Sequence, residues 1–262
     1  MGSDRPGRDG GRGVNPVAAG GFAAAGPAYA PIRPTYARAA IGVIKQRVPA
    51  GAVVVDLAAG TGILSGQLRR AGMAVLSIEP VPEMLGQLRL TLPEVPVVRA
   101  VPEALPLASG SVDAVTVGEA LQWFGDSAVS ELRRVLRVGG VLAIARNRRG
   151  ENVDWMARYG EILRFGLDGA LPHVSRDPER IVASAGGFSA ADHVSITNPR
   201  LCTPGELVRQ AASTSFVAAA PADVRSSVLG RVRELARTHP DLAGRESFEM
   251  SYVTEVWTWT AL

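Results

Sequence analysis

The chain has 262 residues, 47% of them hydrophobic and 20% charged. That is enough for one domain with a sizeable addition, and too apolar for a wholly disordered protein. Its 28 basic and 25 acidic residues leave a net charge of +3, too small a surplus for the concentrated stripe that a nucleic-acid binder presents. Cys202 is the single cysteine, and His173, His193 and His239 lie far apart, so neither an intramolecular disulfide nor a metal site is expected. No apolar run is long enough to span a bilayer, and no charged stretch leads into an apolar one as in a secretion signal. A soluble, cytoplasmic protein is the expectation, without a membrane or nucleic-acid partner and as a monomer or homodimer.

Residues 1–20 are rich in Gly, Arg and Asp and carry almost no large apolar side chains, which predicts a flexible tail. An extended lead-in follows over Phe22 to Pro34, and helical spacing runs from Tyr36 through Ala40, Ile41 and Ile44 to Val48. The β-branched run Ala52 to Leu57 reads as a strand buried on both faces, and Gly60-Thr61-Gly62 turns it into a helix marked by Leu64 and Leu68. Ala74 to Ile78 is a second strand ending at Glu79, and a helix from about Pro82 leads to a third strand, Val95 to Arg99. Val112 to Val117 is a fourth. A helix carrying Leu132, Val135 and Leu136 is expected to end at Gly139-Gly140, before a fifth strand from Val141 to Ala145. This alternation predicts βαβ units and a doubly wound parallel sheet with helices on both faces.

After Arg146 the rhythm changes. Trp155, Tyr159 and Ile162 mark a helix, and His193 to Leu201 alternates as a strand. Thr203-Pro204-Gly205-Glu206 is a capping box opening a helix to about Ala212. Another helix spans Val224 to Leu235 and stops at His239-Pro240, and Phe248 to Trp259 alternates as a final strand. The expected organisation is a tail (1–20), a lid segment with a Rossmann-like core (21–150), and a helical cap with strands completing a seven-stranded α/β sheet (151–262).

The strongest chemical signal is Val55-Asp56-Leu57-Ala58-Ala59-Gly60-Thr61-Gly62 between strand and helix. Small residues at 58, 60 and 62 let the backbone approach a ligand closely. The dinucleotide fingerprint needs a third glycine where Ser65 stands, and Asp56 suits a cationic amino-acid group better than a pyrophosphate. Glu79, ending the second strand, stands where a carboxylate can hold a ribose diol.

These motifs, together with Ile78-Glu79-Pro80, Glu103-Ala104-Leu105-Pro106, Gly110-Ser111-Val112-Asp113, Gln122-Trp123-Phe124 and Arg134 to Leu142, resemble the class I S-adenosylmethionine (SAM)-dependent methyltransferases of the small-molecule, trans-aconitate methyltransferase-like type. The resemblance implies a Rossmann-like fold of seven strands, the last antiparallel. It also implies SAM as methyl donor and S-adenosylhomocysteine (SAH) as product. On it, Asp56, Ala58, Gly60, Thr61 and Gly62 would surround the methionine part, Glu79 the ribose, and Pro80 and Met84 the adenine. Val101, Pro102 and Glu103 would lie along the adenine edge. Gly118, Glu119 and Trp123 would form the floor under the sulfonium, with Tyr29 and Arg33 closing over the methionine carboxylate. Gln122, Trp123, Arg146 and Asn147 would face the acceptor. The sequence departs from the resemblance at Gln122, where relatives often have His, and at Arg146, where they often have Trp.

A sulfonium methyl is already activated, so transfer needs alignment more than acid–base help. Where the acceptor must lose a proton, Glu119 and then His173 are the candidate bases. The expected activity is methyl transfer to an O, N or C nucleophile of a small metabolite, a natural-product intermediate among the candidates. The rivals are a non-methylating SAM-binding pericyclase or cyclase and, less favoured, a dinucleotide-dependent oxidoreductase. Arg146, Arg148 and Arg149 follow the fifth strand, where an acidic substrate could be read.

Overall fold

The computed structural model describes residues 32–125, 127–165 and 177–262. Seven strands form one sheet in the order β3-β2-β1-β4-β5-β9-β6. They are β1 (Val53–Leu57), β2 (Ala74–Ile78), β3 (Val97–Val98), β4 (Val112–Gly118), β5 (Leu136–Arg149), β6 (Asp192–Thr197) and β9 (Tyr252–Thr260). Strands β1 to β5 run parallel, and β9 runs antiparallel between β5 and β6. The expected doubly wound sheet with its antiparallel last strand is therefore present.

The apolar runs explain the layering. Val55 and Leu57 point to one face and Val54 to the other, so each strand supplies two cores. Helices α1 (Arg38–Arg47) and α2 (Ile63–Arg70) cover the Val54 face, through Ile41, Ile44, Leu64 and Leu68. Helices α4 (Ala128–Val135) and α6 (Pro178–Ala185) cover the opposite one, where Trp257 and Trp259 are buried as well. Helix α3 (Pro82–Thr91) joins β2 to β3.

A third core lies in the cap. It gathers α5 (Asp154–Arg164), α7 (Pro204–Ser213), α8 (Ser215–Ala218) and α9 (Ala222–Thr238) around Trp155, Tyr159, Leu207 and Val232. It also takes in the small antiparallel pair β7 (Arg200–Cys202) and β8 (Phe248–Met250). The capping box of α7 forms as expected, with Glu206 N–H donating to Thr203 Oγ1 (3.2 Å) and Thr203 N–H to Glu206 Oε2 (2.8 Å).

Several expectations are corrected. Helix α4 stops at Val135, and Leu136, whose spacing suits a helix, turns extended (φ −69°, ψ 132°) and pairs with Val112. The register then jumps to Ala114 with Val141, so Gly139 (φ 77°) serves a bulge inside a 14-residue β5 and not a helix end. Strand β3 keeps only two residues, because Pro96 has no N–H for the ladder and Val95 N–H closes a turn on Leu92 O. The expected strand over 193–201 divides at Asn198-Pro199 into β6 and β7, and the final run divides at Ser251 into β8 and β9. Each half then joins a different sheet. Helices α6 and α8 were not anticipated from the sequence.

Candidate active site

Four parallel strands, β2, β1, β4 and β5, end side by side, and the candidate residues collect along that edge. The chain leaves β1 through three left-handed residues, Ala58 (φ 53°), Gly60 (φ 58°) and Gly62 (φ 88°). A Cβ on Gly60 would meet open space, whereas one on Gly62 would lie 2.9 Å from the Leu92 side chain. The turn thus packs against α3 at Gly62 and stays clear at Gly60. Thr61 is buried, and its Oγ1 has no hydrogen-bond partner among the described residues.

Glu79 ties β2 to this turn. Its Oε2 accepts from Gly60 N–H and its Oε1 from Val81 N–H, both at 2.8 Å. The residue is only 5% exposed, and burial raises its pKa to about 6 against the opposing pull of those two donors. Each oxygen retains a further lone pair.

Asp56, expected beside the methionine part of the ligand, is held from within the sheet. The register sets it between Ser77 of β2 and Thr116 of β4. Its carboxylate accepts from Thr116 Oγ1 (3.0 Å) and Ser65 Oγ, and Ser65 Oγ lies 2.8 Å from Ser77 Oγ. Fully buried, with desolvation raising its pKa to about 6, Asp56 braces the base of the turn from within the sheet. Ser65, where a dinucleotide fingerprint would have glycine, is one of its partners.

Beside the turn, Pro80 is half-buried and Met84 buried on α3. Val101 and Ala104 close a tight antiparallel bridge around Pro102 and Glu103. Glu103 Oε1 accepts from Gly125 N–H at 2.8 Å, which fastens the loop after the short 3-10 turn Leu121–Trp123.

At the end of β4, a Cβ on Gly118 would lie 2.5 Å from Tyr36 Oη. The phenol of Tyr36, 6% exposed, is therefore laid directly on that backbone. Gln67 of α2 holds Tyr36 on both sides, accepting from its N–H (2.9 Å) and donating to its carbonyl (2.7 Å). Glu119 is left-handed (φ 56°), and its carboxylate accepts from Asn147 N–H. Glu119 is exposed, yet the protein around its carboxyl desolvates the charge and raises its pKa. Gln122 Nε2 donates to Glu119 O (2.7 Å), and Trp123 is half-buried at the end of the same turn.

Asn147 is expected to face a substrate, but its side chain clamps the lead-in segment. Its Nδ2 reaches Pro34 O and Thr35 O (both 3.2 Å), while Oδ1 accepts from Thr254 Oγ1 (2.6 Å) and Asn198 Nδ2 (3.2 Å). Arg33 Nη2 donates to Ser213 O at the end of α7 (2.6 Å), and Arg200 donates to Ile32 O, which joins the same segment to the cap. Arg146 lies opposite Glu255 in the β5–β9 register. Tyr29 and His173 lie outside the described residues. The sequence reading missed Tyr36, Gln67, Asn198 and Thr254. Of these, only Tyr36 had a signal, standing just after Arg33-Pro34-Thr35, and it reads equally as the first core residue of a helix.

The profile of the methyltransferase domain family matches residues 55–144, from the end of β1 into β5. A methyltransferase of Mycobacterium tuberculosis, Rv3342, itself uncharacterized, is 38% identical over 236 residues, covering 89% of this chain and 92% of its own. The chain belongs to the methyltransferase family. The demethylmenaquinone methyltransferase of Beutenbergia cavernae is 34% identical over 131 residues, 49% of this chain and 55% of its own length. A structure from Anaeromyxobacter dehalogenans assigned to the type II methyltransferases superposes with a TM-score of 0.67 at 21% identity, covering 87% of this chain and 97% of that one, and so shares its fold. SAM is the methyl donor that class I membership brings. The edge fits such a ligand: among the described residues, Gly60 opens onto free space and the buried Thr61 Oγ1 has no partner, and Glu79 holds the Gly60 N–H with lone pairs to spare.

Proposed function

We propose that this methyltransferase moves the methyl group of SAM to an O, N or C nucleophile of a small metabolite, as a cytoplasmic monomer or homodimer. In this reading residues 21–150 hold the donor and residues 151–262 shape the acceptor site. Bound SAM supplies an activated methyl on a sulfonium, so the chain's task is alignment and exclusion of water. Glu79 takes the ribose hydroxyls, and the Gly60–Gly62 backbone with the Thr61 hydroxyl takes the amino-acid part. Pro80 and Met84 pack on adenine, with the Val101–Glu103 backbone at its edge. Gly118, Glu119, Gln122 and Trp123 form the floor, and the Tyr36 ring closes it from the lead-in side. Where the acceptor carries a proton, Glu119 accepts it, and desolvation, which raises its pKa, makes it a stronger base than an ordinary carboxylate.

The observation that carries the small-acceptor reading is the roof. The lead-in is bolted down by Asn147, Asn198 and Arg200, and by Arg33 to the cap, directly over the strand ends. A closed roof of this kind suits a compact acceptor better than a polymer strand. The demethylmenaquinone enzyme, which is named for a small acceptor, supports the same direction.

The test is incubation of the protein with methyl-labelled SAM and a crude cell extract fractionated by size. Label in the low-mass fraction, with matching release of SAH, is the expected result. Label confined to protein or RNA would overturn the small-acceptor reading. Tight binding of NAD in place of SAH would overturn the donor assignment.

A further inference from the structure

Side-chain alternation divides the three arginines that follow the buried part of β5. Arg146 and Arg148 share a face with Leu142 and Ile144, whereas Arg149 shares the face of Ala145 and Asn147, where the lead-in lies. Arg148 is 67% exposed and pairs with Glu255 at 3.5 Å. Arg149 is different: its side chain is 19% exposed, its guanidinium lies 4.9 Å from the Tyr159 ring centroid, and its Nη2 is 3.2 Å from Glu151 Oε1. Gly160 on α5 leaves room for this head, since a Cβ there would stand 3.0 Å from Arg149 Nη2 and 2.7 Å from Glu151 Oε1.

Two features of this cluster are incomplete. Arg149 Nε is buried with no hydrogen-bond partner among the described residues. A buried donor left unsatisfied is costly, and on a guanidinium more so. Glu151 Oε1 is also shared with Arg164 Nη1 (3.5 Å), so one carboxylate faces two guanidiniums and leaves a positive surplus. Tyr252 is the register partner of Arg149, and Gln210 Nε2 donates to Tyr252 Oη while the other end of that amide, Oε1, is buried without a partner among the described residues. Burial raises the pKa of both Tyr159 and Tyr252, so their phenols stay neutral, and Arg33 and Arg200 contribute to the same positive field. Arg33 also acts on Glu119, which links the cluster to the methyl-transfer edge.

We propose that the methyl acceptor is an anion, held through a carboxylate or comparable oxyanion on the Nε edge of Arg149, with Gln210 pairing a neighbouring polar group. The Nε–Nη edge of a guanidinium matches a carboxylate with two parallel hydrogen bonds, which satisfies the buried donor and neutralises the surplus together. Of the three arginines after the fifth strand where the sequence placed the reading of an acidic substrate, this singles out Arg149. It rests on the methyl-transfer reading above.

The experiment uses the full chain saturated with SAH and three matched probe pairs: 4-hydroxybenzoate and 4-hydroxybenzamide, 3-hydroxybutyrate and 3-hydroxybutyramide, glutarate and glutaramide. Binding is measured by calorimetry for the wild type and for R149Q, R149K and G160A. In the wild type at least one acid should bind tighter than its amide by about tenfold or more. That preference should vanish in R149Q, persist in part in R149K, which keeps the charge without the planar edge, and weaken in G160A, which displaces the head. SAH affinity, unchanged across the variants, reports that each is folded. Equal binding of acid and amide in every wild-type pair, or a preference that survives in R149Q, would overturn the proposal. Absence of SAH binding to the wild type is a separate outcome, and sinks the methyl-transfer reading instead.

Discussion

The donor edge and the cap side of the cleft are built by different means. At the donor edge, position comes from the backbone: three left-handed residues in a five-residue turn, a register that sets Asp56 between Ser77 and Thr116, and a carboxylate, Glu79, fastened by two main-chain N–H groups. On the cap side, position comes from side chains that reach across long stretches of sequence. Arg33 meets Ser213 180 residues away, and Asn147 meets Thr35 and Thr254 about equally far to either side. The difference suits the two tasks. On the proposed function, a donor common to a whole family would be held by main-chain geometry, which tolerates sequence change, and an acceptor peculiar to one enzyme would be read by side chains, which do not.

The first way to break this contrast is at Glu79. Glu79→Ala removes the acceptor of Gly60 N–H and Val81 N–H, leaving two backbone donors unpaired at about 1–3 kcal/mol each, and removes the carboxylate proposed to hold the ribose diol. Affinity for SAH should fall at least about 1000-fold, or about 4 kcal/mol, by calorimetry. A loss under about tenfold would mean that the turn holds its ligand without the carboxylate.

Asp56 gives the next largest effect, and it depends on pH. Its pKa is raised from 3.8 to about 6 by burial, so the folded chain binds this proton more tightly than the unfolded one. The stabilisation is complete below the unfolded pKa and is lost as pH rises through about 6. Between pH 4 and pH 7 the wild type should lose roughly 2 kcal/mol relative to Asp56→Asn, whose side chain does not titrate. Urea denaturation of both proteins at the two pH values measures it. Parallel pH curves would show that the Ser65 and Thr116 hydroxyls fully compensate the buried charge.

How well each region could be read from the sequence follows the same division. Val53 to Leu57, the glycine turn and Glu79 are contiguous or one strand apart, and their chemistry lies in residue type and spacing, so the donor edge was legible. Even there, the partners of Asp56 were not legible. Residue type shows an acid at a strand end, but only the register shows that Ser77 and Thr116 flank it. The roof was not legible, because Asn147, Asn198 and Thr254 meet through pairing of β5, β6 and β9, which local pattern does not encode. The same applies to the divided strands. Alternation continues through Ser251 and Asn198-Pro199, yet the chain changes sheets at both points.

Gly118 stands where the two regions touch, and Gly118→Ala sharpens the contrast. The new Cβ would lie 2.5 Å from Tyr36 Oη and 3.2 Å from Leu64 Cδ2, so the phenol must withdraw from the floor. Stability should drop by about 2 kcal/mol, as for other overpacked sites. Turnover should fall by about 100-fold once an acceptor is in hand, because small displacements near the reacting atoms are costly. Replacing Tyr36 by Phe in the same background should restore part of both. A variant as active as the wild type would remove Tyr36 from the floor.

The smallest effect tests whether the cap's own scaffolding is separable from the donor edge. Thr203→Ala breaks the capping box of α7, leaving Glu206 N–H without its side-chain acceptor, and should cost about 1 kcal/mol of stability in urea. Its other consequence lies at the far end of the helix. Ser213 closes α7 and accepts from Arg33, so fraying that begins at Thr203 reaches the lead-in only if the helix yields as a whole. Leu207 and Ala211 are fully buried in the cap core between the two ends, and they hold the middle turns in place. SAH affinity should therefore stay unchanged while stability falls. If affinity falls in step with stability, the donor edge depends on the cap after all, and the two regions act as one cooperative unit.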